Sequence, residues 1–185
     1  RSCDLDISDP FREVRTMIEL RPATDADLPA ITDIYNDAIV NTVATFDLEA
    51  KSVEEMGLWL RKHGDRYPVV VCLSLGRIVG YASLNEYSPK KAYAATAEVS
   101  VYIAPDSRGE GYGRTLLGAI IEAGAQKGIH AMIARITEGN DISVHLFKEF
   151  DFRHVGRLKE VGTKFERLLD VELYQRTMDE SGRQE

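Results

Sequence analysis

Glu98 and three closely spaced glycines are the residues whose types and spacing could do chemistry in this chain. Glu98 lies in the run AEVSVYIAP, and DSRGEGYG follows it, carrying Arg108, Gly109, Gly111, Tyr112 and Gly113 ahead of Arg114. A turn without Cβ atoms lets several backbone N–H groups converge on one anion. The N-terminus of a following helix adds unpaired donors and about half a positive charge. Together they make a diphosphate cradle. The spacing is not that of a dinucleotide fingerprint. A P-loop lysine is missing, and no acid closes a following strand about twenty residues on. What remains is a site fed by backbone amides, with Arg108 and Arg114 as charge partners. Glu98 could accept a proton there, or it could be a solvated acid on the outer face of a strand.

The elements that hold these groups follow from periodicity. Val99, Val101, Tyr102 and Ile103 read as a strand that Pro105, lacking an N–H, brings to an end. The apolar run after Gly113 reads as a helix that Gly128 caps. Upstream, MIELR reads as a first strand, and Thr24 with Asp25 and Asp27 opens a helix over Leu28–Ile39. Ser52 and Glu55 form a capping box for a second helix through Met56, Trp59 and Leu60. PVVVCLSL and IVGYASLNEY make a hairpin around Gly76-Arg77, and the next strand spans Ala92–Ala104. AMIARITE reads as a strand, Asn140 caps a helix carrying Val144, Leu146, Phe147 and Phe150, and two final strands close the chain. Phe46, apolar among polar loop neighbours, is either a core anchor or a pocket wall.

Residues 1–16 show no periodicity and read as a disordered extension or expression remnant, with a native regulatory arm as the alternative. Residues 17–178 form one domain and 179–185 a charged tail. A net charge of −7 argues against general nucleic-acid binding, and no apolar run is long enough to span a bilayer. Neither observation excludes a polyanionic small molecule in a local cationic pocket. Cys72 sits inside a strand and Cys3 in the leader, which suits a reducing, cytoplasmic setting better than a disulfide.

Strand, R-G-x-G-x-G, helix, strand and then Asn140-Asp141-x-Ser143 resembles the GCN5-related N-acetyltransferases, over residues 17–178. IELRPATDADLPAITDIYNDAI, AEVSVYIAP and GTKFERLLDVELYQ resemble the branch that holds the phosphinothricin and methionine sulfoximine/sulfone acetyltransferases. The resemblance implies an α/β fold: a central mixed, mostly antiparallel sheet of six or seven strands with helices on both faces. It implies acetyl-CoA as co-substrate, with its pyrophosphate on Arg108, Gly109, Gly111, Tyr112, Gly113 and Arg114, and no metal. Its pantetheine arm would lie along Val99, Val101, Tyr102 and Ile103, the next strand splaying away to admit it. Asn140, Ser143 and Phe147 would flank the thiol end.

Under this resemblance Glu98 is the base that takes the amine's proton, and a backbone N–H near Val99 or Val101 polarises the thioester carbonyl. The acceptor site would draw on Phe46, on Tyr87, Lys90 and Tyr93 from one loop, and on Lys164 from the last hairpin. Lys90 and Lys91 are the cations expected to meet a carboxylate, although loop lysines equally serve solubility. Relatives that bind amino-acid analogues tend to use an arginine in this loop, and here there is none. A second departure is Phe147, where relatives carry a Tyr or His able to protonate the leaving thiolate. His145 is about 200° away around the helix and is read as a surface residue. The function implied is direct acetyl transfer to the primary amine of a small amino-acid-like acceptor by a homodimeric enzyme. A protein or peptide N-terminal acetyltransferase and a non-catalytic acetyl-CoA sensor stay open as alternatives.

Overall fold

The computed structural model describes residues 18–178, so the expected extension, Met17 and the charged tail lie outside the described residues. The chain runs β1 (Ile18–Pro22), α1 (Leu28–Asn41), α2 (Val53–His63), β2 (Val69–Ser74), β3 (Arg77–Glu86) and β4 (Thr96–Ile103). It continues through α3 (Tyr112–Gln126), β5 (Ala131–Thr137), α4 (Asp141–Glu149), β6 (Arg153–Lys164) and β7 (Arg167–Thr177). The seven strands form one sheet in the order β1-β2-β3-β4-β5-β7-β6. Every neighbouring pair is antiparallel except β4 with β5.

Local chemistry sets most boundaries. Ser52 Oγ accepts from the Glu55 N–H at 3.2 Å while Glu55 Oε2 accepts from the Ser52 N–H at 2.7 Å, so α2 starts on the expected capping box. Before α1 the first turn is a 3-10 turn over Asp25–Asp27, and the α-helix proper begins at Leu28 with Pro29 in its first turn. The strand expected from Ala92 starts instead at Thr96, because Lys91–Tyr93 close a separate 3-10 turn.

Each face of the sheet buries a core. On one side α3 lays Leu116, Leu117 and Ile120 against Ala82, Leu84, Ala97, Val99 and Met132. Each of those three helix residues is fully buried, worth about 2 kcal/mol against exposure. Gly124 permits the close approach, since a Cβ there would stand 2.4 Å from Met132 Cε and 2.5 Å from Leu84 Cδ1. On the other side α1 and α2 pack Leu28, Ile31, Ile34 and Met56 over Val69, Val71 and Tyr81. Buried Asp27 fastens the start of α1 to β1 through a bidentate pair with Arg21, at 2.7 and 2.8 Å.

Pairing between β4 and β5 covers only Thr96–Glu98 opposite Ala131–Ile133. Beyond Glu98 the two strands part, while β4 stays paired with β3 through Ile103. The sheet therefore holds a gap along its middle.

Candidate active site

The gap exposes backbone polar groups. The Ala104 N–H donates to Val79 O on β3 at 2.9 Å. Strand alternation then turns the N–H and C=O groups of Val99, Val101 and Ile103 the other way, into the gap. Their side chains join the core under α3, so it is the backbone that is offered. At the mouth of the gap Gly109 and Gly111 both have φ +85°, and a Cβ on either would meet nothing within 4 Å. Only glycine adopts that backbone without strain, and the empty space on its outer side is where an anion can reach the amides. Gly111 precedes the first turn of α3, and Tyr112 fixes that turn to β2 by donating its hydroxyl to Ser74 Oγ at 3.0 Å.

The opposite face of the same strands forms a cleft of about 670 Å³. Its floor is a set of registered β3–β4 pairs, Tyr81 with Tyr102, Ser83 with Ser100, and Asn85 with Glu98. Trp59 and Met56 of α2 and Tyr35 of α1 form one wall, the Ala44–Asp47 loop another, and Arg135 and Thr137 of β5 a third. Tyr81 and Tyr102 stack at 5.3 Å, and Tyr35 meets Tyr102 edge-on at 5.2 Å. Burial, with Asp47 beside it, pushes the Tyr35 hydroxyl up to about 12, so it donates to Asp47 Oδ2 at 2.9 Å as a neutral phenol. Glu98 lies at the end of the floor where the gap begins, and Arg135 grips its carboxylate side-on, Nε to Oε1 at 2.8 Å and Nη2 to Oε2 at 2.5 Å.

Several expected site residues stand elsewhere. Phe147 is buried in the α3-side core, edge-on to Phe152 at 5.0 Å, where its apolar ring fills space. Lys164 is 3 % exposed and does not line the cleft; its Nζ donates to Thr45 O at 2.7 Å, which straps the Phe46 loop to the last hairpin. Burial lowers that ammonium's pKa, with Asp47 opposing the shift. Tyr87, Lys90, Lys91 and Tyr93 are exposed, the two tyrosines meet edge-on at 5.3 Å, and the cleft ends at Glu86. The loop turns outward because the Lys91–Tyr93 turn closes on itself.

Other expectations meet competing partners. Arg108 is paired with Asp37 at 2.6 Å, and Arg114 with Glu149, so both guanidiniums are engaged beside the cradle. The Asn140 side chain caps α4 by accepting from the Ser143 N–H at 3.2 Å. Gly113 lies in the first turn of α3 against Leu146 of α4. His145 is exposed and pairs with Glu149 at 3.2 Å, as a surface residue would. Phe46 lines the cleft, its ring lying over Gly162. Sequence reasoning missed Arg135, the Tyr35 and Trp59 wall and Tyr81 of the floor. Alternation in AMIARIT does put Arg135 opposite Met132, Ala134 and Ile136, but which strand stands beside it is a matter of topology.

An extended thioester with a diphosphate tail needs backbone partners along its arm and amides at its charged end, and the gap supplies both. The fold and site thus define a CoA-dependent acyltransferase. The sequence model of the acetyltransferase (GNAT) domain matches residues 20–173, and the chain belongs to the GCN5-related N-acetyltransferase family. It is 38% identical over 165 residues to a phosphinothricin N-acetyltransferase of Streptomyces coelicolor, covering 87% of this chain and 96% of that one. It is 37% identical over 162 residues to a methionine sulfoximine/sulfone acetyltransferase of Pseudomonas aeruginosa, covering 86% and 94%. Among solved structures, a Sinorhizobium meliloti phosphinothricin acetyltransferase in complex with AcCoA superposes with TM-score 0.86 at 35% identity, covering 89% of this chain and 90% of that one. A Brucella melitensis protein named ribosomal-protein-alanine N-acetyltransferase superposes with TM-score 0.85 at 40% identity, covering 86% and 99%.

Acetyl-CoA fits the residues present. The amides around Gly109, Gly111 and Gly113 suit its pyrophosphate, and the gap-facing backbone of Val99, Val101 and Ile103 suits its pantetheine amides.

Proposed function

We propose that the protein transfers acetyl from acetyl-CoA to the primary amine of a small amino-acid-like acceptor, directly and without a covalent enzyme intermediate. One observation carries this reading: Glu98 is the last β4 residue registered to β5, and Val99 opens the gap. The carboxylate thus faces the acceptor cleft at the point where the backbone turns free for the thioester arm. Glu98 takes a proton from the bound ammonium, since only the free amine has a lone pair to offer. The N–C bond then forms as the C–S bond breaks; the thiolate leaves with the electron pair, and the second proton shed by the new amide nitrogen goes to that thiolate or to solvent. A CoA thiol is a fair leaving group, thiol pKa values being about 8.5, so Phe147 need not be replaced by another acid. Cys72 is fully buried and its thiol is pushed up by burial, which supports direct transfer.

A thiol-release assay with acetyl-CoA against phosphinothricin, methionine sulfone, methionine sulfoximine and a polyamine tests the substrate class. Release with the first three is expected; silence across all of them would reject it. The second reading, acetylation of a protein N-terminus, is favoured by the name of the Brucella relative and is tested by adding an alanine-ended peptide. The first reading includes a homodimer in a reducing, cytoplasmic compartment. Exposed Val155, Leu158, Val161 and Leu168 along β6 and β7 support a self-association surface, which sedimentation would detect. No described helix is long and apolar enough to cross a membrane.

A further inference from the structure

With Lys90 and Lys91 outside the cleft, an acidic acceptor must find its cation elsewhere. Two cations line the cleft, Lys51 and Arg135. Lys51 is paired with Asp47 at 3.2 Å on the loop side. Arg135 uses Nε and Nη2 on Glu98, and among the described residues its Nη1 has no hydrogen-bond partner. A guanidinium is planar and carries five N–H donors, and a side-on pair consumes only one edge. The end-on edge of Arg135, whose side chain is 57% exposed, can take a second carboxylate.

We propose that Arg135 is the carboxylate receptor for the acceptor, and that the Glu98–Arg135 pair reads an α-amino-acid zwitterion. This rests on the cleft being the acceptor site. In an α-amino acid one carbon separates the ammonium from the carboxylate, so the two charges must be met by opposite charges in contact with each other. Glu98 and Arg135 are such a couple. The ammonium rests on Glu98, the group that will take its proton, and the carboxylate rests on the free edge of Arg135. A polyamine has no anion to place there. A peptide N-terminus offers a neutral amide at the same position, leaving that edge of the guanidinium without a charged partner. The pair would thus select free α-amino acids over N-terminal residues and simple amines.

The test compares kcat/KM for methionine sulfone and for its carboxamide, in the wild type and in Arg135→Gln, with acetyl-CoA protection against melting as the check that the variant is folded. The wild type should favour the acid by at least about tenfold, the range of one charge-assisted interaction. Arg135→Gln should slow both reactions through the lost support of Glu98, and should in addition erase the preference for the acid, through a higher KM for the acid than for the amide. Arg135→Lys should restore part of the preference. An equal loss for acid and amide would make Arg135 a mere support for Glu98 and overturn the proposal. So would an acid preference that survives in Arg135→Gln or is abolished by Lys51→Gln instead. Turnover of the carboxamide or a polyamine but not the acid would sink the receptor while leaving acetyl transfer standing. If no amine is acetylated, the functional reading fails, and calorimetric titration of methionine sulfone still decides Arg135. Binding to the wild type alone supports the receptor, and equal or absent binding removes it.

Discussion

Glu98 and Arg135 belong to the two parallel neighbours of the sheet, β4 and β5, and their side chains meet side-on across the start of the gap that separates those strands. Glu98 pairs with Ile133, so Arg135 lies two residues further along β5, on the same face. The pair orients the carboxylate by two charge-assisted bonds without burying it, since the Glu98 side chain keeps 20% of its exposure.

Glu98→Gln keeps the side chain's shape and an acceptor for Arg135 but removes the proton acceptor. Turnover should fall by about 10²–10⁴ in thiol release, the range of general-base contributions. Acetyl-CoA protection against melting should be unchanged, because the contacts proposed for it are backbone groups. An unchanged rate would remove Glu98 as the base.

Gly111→Val puts a β-branched residue at φ +85°, a conformation that costs an L-residue about 1–2 kcal/mol. Its side chain also enters the open space beside the turn, where the pyrophosphate is proposed to lie. Stability should drop by that amount in denaturant titration, and acetyl-CoA should no longer raise the melting temperature. Retained cofactor binding would refute the cradle.

Gly162→Ala tests the Phe46 wall. The new Cβ would lie 2.0 Å from Phe46 Cε2, so the ring must swing aside into the cleft. The expected result is a rise in acceptor KM with acetyl-CoA binding intact. Lys164→Met should act in the same direction by releasing the Thr45 carbonyl that its ammonium holds. If neither variant moves acceptor KM, the Phe46 loop does not wall the acceptor.

Acid should weaken the fold through Asp27. The bond to Arg21, aided by Thr24, holds this carboxyl at about 2, below its value of 3.8 in the absence of partners. A depressed carboxylate contributes its stability above the unfolded value and loses it as pH falls toward the folded one. The contribution, on the order of 2 kcal/mol, should be complete above about pH 5 and fade down to about pH 2. Urea titrations across that window, with Asp27→Asn as comparison, should show the wild type's extra pH dependence vanish in the variant.

Cys72→Ala should keep turnover within about twofold, since direct transfer needs no nucleophile. Its cost should appear in stability, about 1 kcal/mol for atoms removed from a fully buried site. A large loss of kcat in a folded variant would reopen a covalent route.

Elements with a local cause were legible in the chain. The Ser52–Glu55 box, the Gly76 turn, the Gly128 cap and the strand–glycine–helix run each depend on residues a few positions apart, and the sheet and helices expected from them are present. Phe46 lines the cleft, one of the two readings that its isolation in a polar loop allowed. Loop contacts were less legible. Lys90 does not line the cleft because a tight 3-10 turn takes its loop outward, and Lys164 is drawn to a backbone carbonyl that 119 residues of chain separate from it.

The sequence by itself determined the glycine turn ahead of α3, because φ near +85° at Gly109 and Gly111 is a property of glycine and of the helix start beside it. It also determined that Glu98 shares a strand with the backbone that faces the gap. Only the tertiary structure decided that β5 runs beside β4, leaves it after Glu98, and brings Arg135 to that carboxylate. It likewise sent Phe147 into the core. The physical reason is that backbone conformation answers to neighbours in sequence, whereas a charge partner or a packing partner is chosen by which strands the whole sheet sets side by side.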